Sequence, residues 1–324
     1  MKLHGAAAAA LLLSGCGYIG EPLYPLLNIP KLVDDLTAVQ RGAVIVYQFT
    51  LPTLTAEEKP AKIGQVEIRA GSSGPGGFNR DTWYANSTKL DAKPNSKGHV
   101  RSEIPVATWV GKDVALSVKV YGANGRDGGW SKPVTVAVVP PLSKPSDVKA
   151  DAVPQGVRVS WVGPAGEYRV LRQDETEKEY RQLGTVTATQ YLDTTTEYGK
   201  RYSYMIQELQ KAGSGYAESE LSDGRDLTPV DQFPPAVPSN LNAIAAANHI
   251  ELVWDRNTEP DLAGYRVFRS VAGGAFEKIA DVPEAPSYSD GKVESGKQYR
   301  YTVSAVDRAG NESQRSEPVE ISPP

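Results

Sequence analysis

The chain has 324 residues, which is enough for two or three domains of ordinary size. A net charge of -4 gives no sign of the basic surface that nucleic-acid binding needs, so nucleic acid is not an expected partner. The chain has one cysteine, which excludes an internal disulfide. Its 3 histidines supply few ligands for a zinc centre. We therefore expect domains held by packing alone, without a cofactor.

The N-terminus has the pattern of an export signal. Lys2 precedes a short apolar stretch, Ala6 to Leu13, which is too brief to span a bilayer. The following Leu13-Ser14-Gly15-Cys16 resembles the bacterial lipobox. This resemblance implies that residues 1–15 are a signal peptide and that Cys16 is lipidated. The alternatives are an ordinary signal peptide with an incidental cysteine, or a buried helix.

Gly17 follows the cysteine, where enteric lipoproteins retained at the inner membrane have Asp. By analogy, the resemblance implies an outer-membrane location, on either face. Residues 16–30 are predicted to form a tether whose prolines make it unlike a flexible spacer. It is expected either to dock on the first domain or to lie near the lipid surface.

Short alternating segments separated by turn residues follow, a pattern typical of sandwiches and barrels. Two proline-rich joints, Val139–Pro145 and Phe233–Pro238, divide them and are expected to be stiff. The predicted domains are therefore residues 31–140, 144–232 and 236–324.

The segments after the first joint are duplicates. Residues 157–161 and 250–254 both alternate and end in tryptophan, and a Tyr-Arg-x-x-Arg segment follows each. The spacing from Tyr168 to Tyr202 equals the spacing from Tyr265 to Tyr299. Agreement in both pattern and spacing indicates an internal duplication.

These motifs resemble those of fibronectin type III domains over about residues 144–324. The resemblance includes a proline-led first strand, the tryptophans and a Gly-x-x-Tyr-x-Tyr strand. It implies that Tyr202 and Tyr299 are tyrosine corners, whose hydroxyls bond to backbone across a loop. Residues 42–47, 66–69 and 111–116 form a divergent copy with Val114 in the tyrosine position. The predicted fold class is therefore all-β, with three tandem fibronectin type III-like (immunoglobulin-like) β-sandwiches after the signal peptide.

No catalytic or metal-binding motif emerges from the sequence. His99 and His249 are interpreted as solvated surface residues, and adjacent acids such as Asp34 and Asp35 as solvated charge. The turn from Asp307 to Glu312 could collect oxygens for calcium, but it matches an ordinary turn of the resembling family. The chain is predicted to have no enzymatic activity and no metal.

The segment from Gly71 to His99 is a long insertion that includes Trp83 and Tyr84. Long loops in compact domains are often functional, and aromatic rings can stack on sugars or anchor a protein. Trp83 and Tyr84 are therefore candidate ligand-binding residues. The competing interpretation is that one of them lies on a short extra strand and covers the core.

Three functions fit these features. The leading hypothesis is a non-catalytic, lipid-anchored envelope protein that acts as spacer, scaffold and protein-interaction module. The alternatives are a polysaccharide-binding surface lipoprotein and an accessory subunit of a secretion or surface-enzyme assembly. The expected partners are the membrane, through the lipid on Cys16, and another envelope protein or a polysaccharide.

Overall fold

The computed structural model describes residues 27–74, 76–91, 93–246, 248–283 and 285–324. The predicted signal peptide and the lipidated cysteine lie outside these residues. The described chain forms two compact units, one of residues up to Pro140 with Ala212–Ala217, the other of Pro141–Lys211 with Glu218–Pro324. None of the helices in the described part has the length and apolar character needed to span a bilayer.

The first sandwich lies in the first unit. One sheet has the order β1-β2-β5, and the other has the order β4-β3-β6-β7 with β8 also paired to β6, all antiparallel. Its elements are β1 Thr37–Arg41, β2 Val44–Thr50, β3 Ile63–Ser72, α1 Arg80–Asn86, β4 Thr88–Leu90, β5 His99–Pro105, β6 Asp113–Gly122, β7 Asp127–Trp130 and β8 Val134–Ala137.

The second sandwich has the same plan. A three-stranded sheet, β9-β10-β13, faces a sheet in which β12, β11, β14 and β16 are neighbours. Its strands are β9 Ser146–Val153, β10 Gly156–Val162, β11 Glu167–Asp174, β12 Arg181–Val186, β13 Gln190–Asp193, β14 Tyr202–Ala212, β15 Gly215–Glu218 and β16 Arg225–Leu227.

The third sandwich repeats this plan, except that no strand in its described residues corresponds to β15. Its sheets have the orders β17-β18-β21 and β20-β19-β22-β23. The strands are β17 Asn242–Ala245, β18 Ile250–Val253, β19 Leu262–Val271, β20 Glu277–Pro283, β21 Ser287–Asp290, β22 Tyr299–Asp307 and β23 Val319–Ile321.

Alternation explains why these segments form strands with one buried face. Along β10, Val157 and Val159 are fully buried while Arg158 between them is exposed. Trp161 continues the buried face and packs edge-on against Tyr168, with 5.3 Å between the ring centroids. Trp254 packs against Tyr265 in the same way at 5.2 Å.

Each sandwich has its own core of buried aliphatic and aromatic side chains. In the first sandwich Val114, at the position of the corner tyrosine, is fully buried in that core. Three tandem sandwiches, each made of a three-stranded sheet packed on a larger one, confirm the predicted fibronectin type III-like fold class.

Candidate functional site

The insertion between β3 and β5 contains α1 and β4, where the sequence suggested a long loop or an extra strand. The helix begins after Asn79, whose side-chain Oδ1 accepts a hydrogen bond of 3.1 Å from the Thr82 N–H. Asp81 places a negative charge in the first turn, where it favours the positive end of the helix dipole. The described part of the insertion therefore contains a capped helix and a short strand.

Trp83 on this helix is a packing residue. It is 2% exposed, and its Nε1 donates a hydrogen bond of 3.0 Å to the carbonyl oxygen of Ala115 on β6. Its ring lies 5.4 Å from that of Phe78 and 5.7 Å from that of Trp130, centroid to centroid. A Cβ on Gly71 would approach Ser87 to 2.9 Å, so glycine there permits the close approach of this segment. A ring this deeply buried covers the core in this structure, so Tyr84 rather than Trp83 is the member of the predicted pair that is accessible to a ligand.

Tyr84 differs from its neighbour because it is 44% exposed. The Arg69 guanidinium carbon lies 4.4 Å from its ring centroid, and the Trp130 ring is 5.8 Å away. Arg69 Nε in turn donates to Glu67 Oε1 at 2.6 Å. Burial would raise the pKa of Glu67, but hydrogen bonds from Arg69 and Tyr121 hold it below its ordinary value. Tyr84 is therefore an exposed ring held in place by an ordered polar network.

The two corner tyrosines occupy equivalent places in the second and third sandwiches. The Glu197 N–H donates to Tyr202 Oη at 2.9 Å, and the Glu294 N–H donates to Tyr299 Oη at 2.8 Å. Both tyrosines are 2% exposed. Each hydroxyl therefore satisfies a backbone donor in the loop that precedes its strand.

We expect Tyr202→Phe and Tyr299→Phe each to lower the free energy of unfolding by about 1 kcal/mol, because each leaves a loop N–H without its acceptor. Calorimetric melting of the purified chain would measure the loss. Tyr216→Phe is the matched control, since Tyr216 is an exposed tyrosine. Losses no larger than that of the control would contradict the corner role.

A buried ion pair recurs in both duplicated sandwiches. Arg172 donates to Asp193 Oδ2 at 2.7 Å and Tyr204 Oη donates to the same oxygen at 3.0 Å. The third sandwich repeats both contacts, with Asp290 accepting from Arg269 and Tyr301 at 2.9 Å each. The arginine and the acid recur within the duplicated motifs, but no local sequence pattern indicates that they pair. They connect the two sheets of each sandwich.

Burial on its own would raise the pKa of Asp193. Hydrogen bonds from Thr195, Arg172 and Tyr204 outweigh burial and hold that pKa below its ordinary value of 3.8. Burial on its own would lower the pKa of Arg172. The hydrogen bond from Arg172 to Asp193 outweighs burial, so the pKa of Arg172 is raised above its ordinary value. Both groups are therefore charged at neutral pH and serve the structure.

Three carboxylates meet where the second and third sandwiches join. Oxygens of Asp231, Asp261 and Asp307 all lie within 4.8 Å of one another. Calcium takes six to eight oxygen ligands, and both oxygens of Asp307 already accept hydrogen bonds of 2.8 Å from Asn311. The cluster as it stands is thus a centre of negative charge with an incomplete ligand set for calcium. The turn after Asp307 has a recognisable sequence pattern, whereas Asp231 and Asp261 are distant in sequence and join it only in the folded chain.

The remaining predicted residues lie apart from this cluster. Cys16 is outside the described residues. His99 begins β5 in the first unit, and His249 precedes β18 in the second unit, where its Nε2 lies 3.5 Å from Glu251.

Comparisons with known proteins place this fold in context. The chain is 28% identical over 249 residues to exoglucanase B of Cellulomonas fimi. This match covers 74% of this chain and 21% of that enzyme. It is 40% identical over 95 residues to an amylopullulanase of Thermoanaerobacterium saccharolyticum, covering 29% of this chain and 7% of that enzyme. The chain therefore spans about a fifth or less of the length of these relatives.

Among solved structures, an Fn3-like protein from Clostridium thermocellum is 33% identical. The match covers 28% of this chain and 96% of that protein, with a TM-score of 0.25. No protein-family model matches the chain.

Proposed function

We propose that this chain is a non-catalytic, lipid-anchored module of the cell envelope that spaces and presents a protein-interaction surface. The observation that supports the non-catalytic part of this proposal is that the buried charged groups of the duplicated sandwiches are paired with one another. Arg172 and Asp193 pair inside the second sandwich, and Arg269 pairs with Asp290 inside the third. A catalytic pair of carboxylates needs freedom to exchange protons, whereas these groups are tied to fixed partners.

One buried acid departs from this pattern. Glu208 on β14 is buried, its Oε2 lacks a hydrogen-bond partner, and burial raises its pKa. A raised pKa alone does not make an acid catalytic, because general acid–base chemistry also needs a reachable substrate.

The lipid anchor is supported by the sequence around Cys16. Acylation of that residue would hold the sandwiches at a membrane, since each buried methylene contributes about 0.8 kcal/mol. We further propose the outer membrane as the location, because Gly17 rather than Asp follows the cysteine. The proline-rich joints would then act as spacers between the sandwiches.

The anchor is tested by fractionating cells that express the chain or its Cys16→Ser variant. We expect the unmodified chain in the membrane fraction, with an acylated cysteine as its N-terminal residue in mass spectrometry. The Cys16→Ser variant should move to the soluble fraction. Unchanged membrane association of this variant would contradict lipid anchoring through Cys16.

Polysaccharide binding is a second candidate function, favoured by the names of the relatives and by the exposed ring of Tyr84. An exoglucanase and an amylopullulanase suggest glucan polymers as the class of ligand. A tyrosine ring fixed by Arg69 could stack on a sugar with little loss of side-chain entropy.

Affinity electrophoresis in gels that contain soluble starch or hydroxyethyl cellulose tests this second function. We expect the chain to be retarded and Tyr84→Ala to lose most of the retardation. Tyr216→Ala removes another exposed tyrosine and should migrate like the unmodified chain. Equal migration of the two variants would argue against a glycan site at Tyr84.

A further inference from the structure

A groove lies where the second sandwich, the joint after it and the third sandwich meet, all within the second compact unit. Its volume is about 600 Å³. Tyr198 comes from the loop before β14, Asp231 and Phe233 from the joint, and Asp261 and Arg308 from the third sandwich. The duplicated domains thus create a surface that neither contains alone.

The walls of the groove are largely aromatic and prolyl. Tyr198 is 40% exposed, Phe233 is half-buried, and Pro234 and Pro260 are exposed beside them. Prolines lack an N–H donor, so these walls offer apolar surface rather than backbone hydrogen bonds. Grooves of aromatic rings recognise extended, proline-containing segments, because such segments are already ordered before they bind.

One end of the groove is strongly negative. Asp231 and Asp261 line it, and Asp307 lies within 4.8 Å of both. Burial, followed by the charges of Asp307 and Asp261, raises the pKa of Asp231 above its ordinary value. The pKa of Tyr198 is also raised, first by burial and then by the same three carboxylates.

The basic residue that lines this groove is Arg308, at its third-sandwich side. Like charges held this close destabilise one another unless one carboxyl takes up a proton or a cation lies beside them, and the second arrangement leaves room for a basic ligand. An arginine or lysine side chain can donate to Asp231 and Asp261 while its aliphatic stem contacts the rings. A basic side chain therefore complements both the negative charge at this end of the groove and its apolar walls.

We propose that this groove binds an extended, basic, proline-containing segment of a partner protein. The inference rests on the proposed function as a protein-interaction module and gives its partner a defined chemistry. Apolar contacts with Tyr198 and Phe233 position the segment, and the carboxylates select its positive charge. A calcium ion is the competing occupant, although the hydrogen bonds from Asn311 already engage both oxygens of Asp307.

The test uses a short fluorescent peptide with alternating prolines and central arginines, and a twin in which neutral citrulline replaces each arginine. Fluorescence anisotropy with the purified full chain measures both affinities. We expect the arginine peptide to bind about tenfold more tightly than its twin, and salt to reduce the difference. Equal binding of the two peptides would overturn the proposal.

Variants of the chain locate the site. Asp231→Asn combined with Asp261→Asn should weaken arginine-peptide binding by about tenfold, and Tyr198→Ala should weaken both peptides. The matched control combines Glu277→Gln with Glu317→Gln, which removes the same charge from exposed positions elsewhere on the third sandwich. Loss of binding to the same extent in this control would show non-specific charge attraction and overturn the proposal.

Titration with calcium alone separates the two occupants. Saturable calcium binding that disappears in the Asp231 variant and displaces the peptide would overturn the peptide proposal in favour of a cation site.

A chain that remains anchored through Cys16 but does not discriminate between the peptides would overturn this inference only. A Cys16→Ser variant that stays in the membrane would instead contradict the lipid anchor of the proposed function.

Discussion

Replacing Trp83 with alanine should destabilise the first sandwich by about 3 kcal/mol or more, the usual range for removing a buried tryptophan. The change removes the indole between Phe78 and Trp130 and the hydrogen bond from Nε1 to Ala115. It also detaches α1 from the sheet, since Trp83 is the buried residue of that helix. Calorimetry of the purified chain should show one transition at a lower temperature.

Tyr84→Ala is the matched control for Trp83→Ala, because it alters the next residue of the same helix. Tyr84 is 44% exposed, and its contact with Arg69 is of the kind that contributes about 1 kcal/mol or less. We expect a small change in melting temperature. A Trp83→Ala protein that melts like the unmodified chain would contradict the packing role of this ring.

Asp193→Asn should destabilise the second sandwich by about 3 kcal/mol or more, because it leaves the buried Arg172 guanidinium without its counter-charge. The Arg172 side chain is 5% exposed, whereas the equivalent Arg269 side chain is 21% exposed. Arg269 also donates to the Lys292 carbonyl oxygen at 2.7 Å. Asp290→Asn should therefore cost less, and the two variants form an internal comparison.

The pH dependence of the same comparison follows from the pKa of Asp193. A carboxyl whose pKa is lower in the folded state than in the unfolded state stabilises the fold above the unfolded value, and that contribution is lost as pH falls through the folded value. The advantage of the unmodified chain over Asp193→Asn should therefore be full at neutral pH and shrink below about pH 4. An equal loss of stability in Asp193→Asn and Asp290→Asn would contradict the account. So would a stability advantage of the unmodified chain over Asp193→Asn that grows as the pH falls.

The fold could be predicted from sequence because its signals are local and repeated. Buried and exposed residues alternate along β10, and the same pattern returns in β18 at matched spacing. The helix α1 was missed although Asn79 and Asp81 are helix-start signals, since the helix is short and follows a glycine-rich stretch. What fixes it is the packing of Trp83 on the sheet, which a local pattern does not contain.

The candidate sites show the same limit. Tyr202 and Tyr299 could be singled out because each lies in a repeated motif. The groove could not, since Tyr198, Asp231 and Asp261 belong to different elements and meet only where two sandwiches pack. Trp83 and Tyr84 are adjacent in sequence, but the helix buries one side chain and exposes the other.

The most direct test of the central claim is photo-cross-linking in cells, with a photoreactive amino acid placed at position 233 in the groove. We expect one envelope protein to be captured reproducibly, and capture to fall when Cys16→Ser is introduced. The same probe at position 216 is the control and should not capture that protein. Capture of no protein at position 233, or equal capture with and without Cys16, would contradict an anchored module that presents a protein-binding surface.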